Sequence, residues 1–220
     1  MKAELDHIFV MCSINAPEAT GLLRHGFKEG SPNSHDGQGT ACRRFFFQNS
    51  YLELLWVNEP EAAQGGSAER TGLWKHWSKR GDGASPFGIV LRAAAGAGDQ
   101  DRPFATWPYK PQYLPSHLAI DVGRDTHLNE PLFFYLGFRR RGARVPEEPV
   151  AHAIPVGDIT GVSIGFPSPG PRSGVAQAAE SMGLLTFHSA DNHAMQLTFD
   201  DAIQGGEVDL RPDLPIVLRW

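Results

Sequence analysis

The feature that most constrains the fold is an order of elements that occurs twice, once near each end of the chain. In the first copy an apolar run over residues 5–12 leads into a helix that begins near Pro17 and ends at Gly26. Two strands, over 43–48 and 51–57, then flank a turn at Asn49-Ser50. Proline at a helix start and glycine at a helix end are the usual boundary signals. The pattern therefore predicts a strand, a helix and a run of strands.

The same order returns late in the chain. A strand over 159–166 precedes a helix over 175–182 that ends at Gly183, and strands over 184–188 and 194–199 form a predicted hairpin. Repetition of a whole supersecondary unit predicts related modules. We therefore predict an α+β chain with a first module over 1–58, a helix and irregular strands over 59–158, and a second module with C-terminal strands over 159–220.

Composition limits the compartment and the class of partner. With 220 residues, 41% of them hydrophobic, the chain is large enough to bury a core. Its formal net charge of −5 includes no long block of like charge, which argues against a nucleic-acid partner. Only Cys12 and Cys42 are present, too few for a disulfide framework, so we predict a reducing, cytoplasmic setting. No export signal and no membrane-spanning run of roughly twenty apolar residues is evident, which argues against a membrane partner.

Two residues of the first copy could hold a metal ion. His7 lies in the first predicted strand and Glu53 in the last, so an imidazole and a carboxylate would converge if those strands were neighbours. A buried carboxylate needs a partner. The alternative to a metal is an ion pair between Glu53 and Arg43 or Arg44, with His7 hydrogen-bonded in the sheet.

The runs LDHIFV at 5–10 and RRFFFQNSYLELL at 43–55 resemble the opening module of the vicinal oxygen chelate superfamily, in its glyoxalase-like branch. The resemblance implies paired βαβββ modules, as in the glyoxalase, bleomycin-resistance and extradiol dioxygenase folds, with curled mixed sheets around a cavity. Members of the superfamily typically hold a divalent metal that chelates vicinal oxygens of a small molecule. Others bind small molecules without a metal.

Carried over to this chain, the resemblance implies that His7 and Glu53 are metal ligands and that Glu53 is catalytic. The second copy lacks the matching pair, because Gly161 and Gln196 stand at the corresponding positions. We therefore expect His117, in a short run similar to that around His7, to replace the missing histidine. Two histidines and one carboxylate suit Zn(II), Ni(II), Mn(II) or Fe(II). Gln196 would be a further ligand or a substrate contact.

Two classes of function follow from the resemblance. One is a metal-dependent lyase, isomerase or dioxygenase that acts on a small oxygen-rich or aromatic molecule. The other is a metal-free protein that binds or sequesters a small molecule, in which Arg43, Trp107 and Tyr109 contact the ligand. A purely structural or dimerising role is the third possibility. The resemblance also implies a homodimer.

Overall fold

The computed structural model describes residues 3–98, 101–139, 148–167 and 170–220, which form two β-sheets with short helices. The first eight strands are Ala3–Met11 (β1), Asn33–His35 (β2), Thr40–Phe46 (β3), Tyr51–Val57 (β4), Phe87–Ala93 (β5), Thr106–Tyr109 (β6), Ile120–Gly123 (β7) and Leu132–Leu136 (β8). The last five are Ile159–Phe166 (β9), Thr186–Ser189 (β10), Ala194–Phe199 (β11), Glu207–Asp209 (β12) and Ile216–Arg219 (β13). The helices are Ala19–Arg24 (α1), Pro60–Ala63 (α2), Gly66–Glu69 (α3), Leu73–Lys79 (α4) and Gly174–Ser181 (α5), with a 3-10 turn at Asp200–Ala202.

The first eight strands form one curled sheet made of two similar halves. In the first half the spatial order is β1, β4, β3, β2, with β4 parallel to β1. The second half has the order β5, β8, β7, β6, with β8 parallel to β5. The halves join where β1 pairs with β5 in antiparallel orientation. The sheet therefore contains the same four-strand order twice.

The position of this second half differs from the sequence-based expectation. We expected the second module at 159–220, whereas the strands that repeat the order of the first half lie within 87–136. The described part of the connection between β5 and β6 contains no helix, and β6 and β7 have only four residues each. The sequence signal of a strand–helix–strand unit is therefore missing where the topology repeats.

Residues 159–219 form a separate five-stranded sheet with a different order. Its strands lie in the order β10, β9, β11, β13, β12. The strands β10 and β11, expected to be a hairpin, lie on opposite sides of β9, because β10 is parallel to β9 and β11 is antiparallel to it. The helix α5 begins where the Ser173 hydroxyl accepts a hydrogen bond from the Ala176 N–H, a standard helix cap.

The main core lies between the two sheets. Along β4, Leu52 and Leu54 face the five-stranded sheet, in one apolar cluster with Ile164, Leu197 and Phe199. A smaller cluster lies on the concave face of the eight-stranded sheet and includes residues of α4. All seven residues of β4 are buried because both faces of the strand are covered. The predicted α+β class, with curled mixed sheets around a cavity, is confirmed. No helix among the described residues is long and apolar enough to cross a membrane.

We expect Leu54→Ala to lower the free energy of unfolding by about 3 kcal/mol, because it leaves a cavity in a core that cannot collapse around it. Leu54 is fully buried between the two sheets. Urea denaturation of the full chain would measure the change. The control is Leu23→Ala on α1, because Leu23 is 41% exposed and its truncation should change the free energy of unfolding little. Equal losses in both variants would contradict the described core.

Candidate active site

A cavity of about 470 Å³ lies on the concave face of the eight-stranded sheet. One wall, from β1 to β4, is polar and includes His7, His35, Arg44, Tyr51 and Glu53. The opposite wall, from β5, β7 and β8, is apolar and consists of Val90, Ile120, Phe134 and Leu136. Cavities of this size bind small molecules. The first half of the sheet can therefore contact polar groups of a ligand, and the second half can contact its apolar groups.

A β-bulge in β1 places a carboxylate beside a histidine. Asp6 and His7 would point to opposite faces of a regular strand, but the pairing of β1 with β5 shifts register between Leu5 and His7. Oδ1 of Asp6 lies 2.7 Å from Nδ1 of His7, and Asp6 is 1% exposed. Because an ionised carboxylate only accepts hydrogen bonds, Nδ1 of His7 donates its proton. Nε2 of the neutral ring then carries a lone pair.

Two guanidinium groups complete the surroundings of Asp6. Arg139 Nη1 lies 3.1 Å from Asp6 Oδ1, and Arg92 Nη1 lies 3.5 Å from Asp6 Oδ2. Burial alone would raise the pKa of Asp6, but the hydrogen bond and electrostatic interaction with His7 and the positive charges of Arg139 and Arg92 hold that pKa below its ordinary value. Asp6 therefore stays ionised near neutral pH and fixes the orientation of the His7 ring.

Glu53 meets His7 across the boundary between two neighbouring strands. Oε2 of Glu53 lies 3.8 Å from Nε2 of His7, and Glu53 is 5% exposed. The ring of Tyr51 stacks on the His7 ring, with centroids 4.3 Å apart and planes inclined by 17°. Burial, and then the charges of Glu53 and Asp6, raise the pKa of Tyr51 well above its ordinary value. The Tyr51 phenol therefore stays protonated at the edge of this pair.

Two further side chains of the first half approach Glu53. One ligand atom from each of His35, Cys42 and Glu53 lies within 4.8 Å of the other two. Burial, and then the charge of Glu53, raise the pKa of the Cys42 thiol above its usual range, while burial lowers the pKa of His35. In the metal-free chain both side chains are therefore neutral near neutral pH. Neither side chain was among the ligands predicted from the sequence.

The structure brings together two of the three expected metal ligands. His7 and Glu53 are neighbours, whereas His117 is exposed in the turn before β7 and does not line the cavity. The run that contains His117 is similar in sequence to the run around His7, but it forms a strand only from Ile120 onwards. The similarity of the two runs therefore does not extend to a similar place in the fold.

The arginine that lines the cavity is Arg44, whereas Arg43 was the predicted substrate contact. Residues alternate along β3, so Arg44 shares a face with Cys42, while Arg43 points to the other face. There Arg43 pairs with Glu29, at 2.5 Å, and donates to the Ala16 carbonyl. The hairpin parity could have identified Arg44, because it lies directly opposite Glu53 in the register of β3 and β4.

The other expected substrate contacts lie away from the polar wall. Trp107 lines a second cavity, of about 670 Å³, where the Arg70 guanidinium lies 4.4 Å from the centre of its ring. Tyr109 is buried in the small cluster on the concave face. Gln196 lies on β11 in the five-stranded sheet and donates a long hydrogen bond of 3.5 Å to the Thr198 hydroxyl.

Residues 5–107, from β1 into β6, match a known family model, that of the glyoxalase-like domain. Over these residues the chain is similar to the glyoxalase-like family. The predicted resemblance to the vicinal oxygen chelate superfamily is thereby confirmed. The matched residues include the polar wall of the cavity, with His7, His35 and Glu53, and also the buried Cys42. Among curated proteins, none matches the chain in sequence.

Solved structures similar to this chain include a hypothetical protein from Staphylococcus aureus, with a TM-score of 0.53 and 10% identity over 99% of both chains. Methylmalonyl-CoA epimerase in complex with methylmalonyl-CoA and NH4+ has a TM-score of 0.43 and 17% identity over 65% of this chain and 97% of its own. A fusion of a xylose isomerase-like TIM barrel and 4-hydroxyphenylpyruvate dioxygenase has a TM-score of 0.46 and 10% identity, over 93% of this chain and 38% of its own. These likenesses concern the fold.

The glyoxalase-like domain offers the donor atoms that a divalent cation needs, but only on one wall. The His7 imidazole is already oriented by Asp6, an arrangement that is common behind metal-bound histidines. Glu53 supplies a carboxylate oxygen beside it. On the other wall, Val90 and Phe134 have no donor atom. A cation is therefore compatible with the first half of the sheet and not with ligands from β5 and β8.

Proposed function

We propose that this chain is a metal-dependent isomerase or lyase of the glyoxalase-like type that acts on a small, oxygen-rich molecule. The observation that carries the proposal is the set of Asp6, His7 and Glu53 on the polar wall of a cavity of ligand size. His7 and Glu53 would hold a divalent cation, through Nε2 and a carboxylate oxygen. When bound, such a cation supplies Lewis-acid polarisation of a substrate oxygen.

The side chains of the cavity have separate roles in this proposal. Asp6 keeps the Nδ1 proton of His7 in place, so that Nε2 stays available towards the cavity. Glu53 is the group that accepts a proton from a substrate carbon next to a carbonyl group, because it is the buried carboxylate that lines the cavity. Tyr51, which stays protonated, can donate a hydrogen bond to a substrate oxygen.

The shape of the cavity also supports a class of substrate. The polar wall accepts an oxygen-rich head group, and the apolar wall of Val90, Phe134 and Leu136 accepts a hydrocarbon body. A cavity of about 470 Å³ is near the lower end of the range for small-molecule sites, which favours a compact substrate. The homodimer and the cytoplasmic location stay predictions.

Metal analysis of protein purified without a His-tag or chelator tests the proposal. We expect near-stoichiometric divalent metal in the wild-type chain, and about a tenfold or greater loss of metal affinity in His7→Ala, which loses a ligand, and in Glu53→Gln, which loses the ligand's negative charge. The matched controls are His117→Ala, an exposed histidine, and Glu29→Gln, a carboxylate on the opposite face. Both controls should keep their metal. Wild-type chain that takes up no divalent ion would overturn the proposal.

The second candidate is a metal-free protein that binds a small molecule in the same cavity. The apolar wall favours it, because β5 and β8 carry no donor atoms where a second pair of ligands would lie. Exchange of substrate C–H protons with deuterated water, followed by NMR over a panel of small 2-hydroxy and 2-oxo acids, separates the candidates. Exchange that Glu53→Gln abolishes supports the enzyme, and binding without exchange supports the metal-free protein.

A further inference from the structure

The apolar wall of the cavity supplies no ligand for a cation. The described residues that β5, β7 and β8 place in the cavity are Val90, Ile120, Phe134 and Leu136, and none of them has a nitrogen, oxygen or sulfur atom in its side chain. Two ligands from His7 and Glu53 alone hold a cation weakly, since transition metals in proteins usually have three or four protein ligands. Further ligands therefore have to come from the first half of the sheet.

That half presents two suitable side chains beside Glu53. His35, Cys42 and Glu53 lie on β2, β3 and β4, which are successive neighbours in the sheet. Their ligand atoms lie within 4.8 Å of one another, and Nε2 of His7 lies 3.8 Å from Glu53 on the far side. Ligands of a tetrahedral zinc ion are about 3.5 Å apart, so these atoms have to come closer together when an ion binds.

The hydrogen bonds of His35 favour the neutral tautomer that has its proton on Nδ1 and a lone pair on Nε2, which is a form that can bind a metal ion. The Asn33 amide Nδ2 lies 3.1 Å from Nε2 of His35, and an amide nitrogen donates, so Nε2 carries a lone pair. Nδ1 of His35 then donates its proton to the Thr40 hydroxyl at 3.0 Å. Asn33 is exposed and its amide can turn away to solvent. His7 and His35 are therefore both oriented through Nδ1, and the lone pair of each ring lies on Nε2.

We propose that His35 and Cys42 complete, with His7 and Glu53, a metal site built within the first half of the sheet for a thiolate-binding cation such as Zn²⁺. This inference rests on the proposed function and deepens it, because it names the ligands and the metal class. Binding breaks the S–H bond of Cys42, forms the sulfur–metal bond and releases the proton to solvent. A thiolate ligand selects zinc over magnesium and manganese, which prefer oxygen ligands. Zinc can accept a fifth ligand, which leaves a position for a substrate oxygen.

Cobalt(II) is the probe for this ligand set, because a cobalt–thiolate bond gives a charge-transfer absorption that imidazole and carboxylate ligands do not give. We expect the full wild-type chain to show this absorption when titrated with Co²⁺. Cys42→Ser should lose it, and His35→Gln should weaken Co²⁺ and Zn²⁺ affinity by about tenfold or more. The matched control is Cys12→Ser, since Cys12 is also buried but lies in the other core cluster. Cys12→Ser should retain the absorption.

The outcomes separate this inference from the proposed function. Binding of Co²⁺ that depends on His7 and Glu53, without the thiolate absorption, would overturn the inference and leave the proposed function intact. No binding of Co²⁺ or Zn²⁺ by the wild-type chain would overturn both. If Cys42→Ser fails to fold by circular dichroism, His35→Gln decides the question, because His35 is only partly buried. Unchanged affinity in that variant would contradict the site.

Discussion

The Gly39→Val variant is expected to lose about 4–6 kcal/mol of unfolding free energy. Valine would strain the backbone at this position, and its side chain would clash with neighbouring backbone atoms. Gly39 has a φ of +74°, a conformation that a β-branched residue avoids. A Cβ atom there would lie 2.7 Å from the backbone nitrogen of Ala63 and still closer to the carbonyl oxygen of Glu59. These backbone atoms cannot move away cheaply, since the Asn58 and Glu59 N–H groups donate to the Gly39 carbonyl.

The control for this variant is Gly83→Val, which separates backbone strain from the steric clash. Gly83 has a φ of +80°, but no atom lies within 4 Å of a Cβ built on it. We expect this variant to lose only the cost of the strained backbone, about 1–3 kcal/mol. Urea denaturation of both variants measures the difference. Similar losses in the two variants would show that Glu59 and Ala63 do not pack against Gly39 as described.

Replacement of Asp6 with alanine is expected to lower the free energy of unfolding by about 3–5 kcal/mol, because it removes the buried carboxylate that pairs with both Arg92 and Arg139. Arg92 is 8% exposed and would keep its contacts with Glu4 and the Asn49 carbonyl but lose the second carboxylate. Arg139 and the Nδ1 proton of His7 would also lose this acceptor. We therefore expect metal affinity to fall in the same variant.

The matched control is Asp209→Ala at the other end of the molecule. Asp209 also pairs with an arginine, Arg211, at 2.5 Å, but both side chains are exposed to solvent. Exposed ion pairs contribute little to stability, so the unfolding transition should hardly move. Thermal and urea denaturation of the two variants provide the comparison. A small effect of Asp6→Ala on stability would contradict a central role for its carboxylate in the sheet.

Local patterns in the sequence predicted the first half of the sheet well. The hairpin of β3 and β4 follows from its apolar runs and its turn, and these place Glu53 on the face opposite Leu52 and Leu54. The neighbourhood of His7 and Glu53 followed from the resemblance, because it fixes which strands are adjacent. Asp6 was not identified as a partner of His7, since a β-bulge depends on pairing with β5, far along the chain.

The second half of the sheet could not be predicted in the same way. Its short strands are joined by irregular segments, so neither apolar periodicity nor a helix marks the repeat. The late strand–helix–strand order carries the stronger local signal, but pairing between distant strands assigns it to a separate sheet. His117 was chosen on a short similarity, and the strand begins after it. Sheet order depends on contacts between distant segments, which a local pattern does not encode.

The division of the cavity between the two halves of the sheet has a consequence for how such a protein can change. Substitutions of Val90 or Phe134 would reshape the pocket for a different hydrocarbon body, while His7, His35, Cys42 and Glu53 on β1 to β4 stay untouched. Reactivity and selectivity can therefore diverge independently, whether by natural mutation or by a directed library confined to β5 and β8.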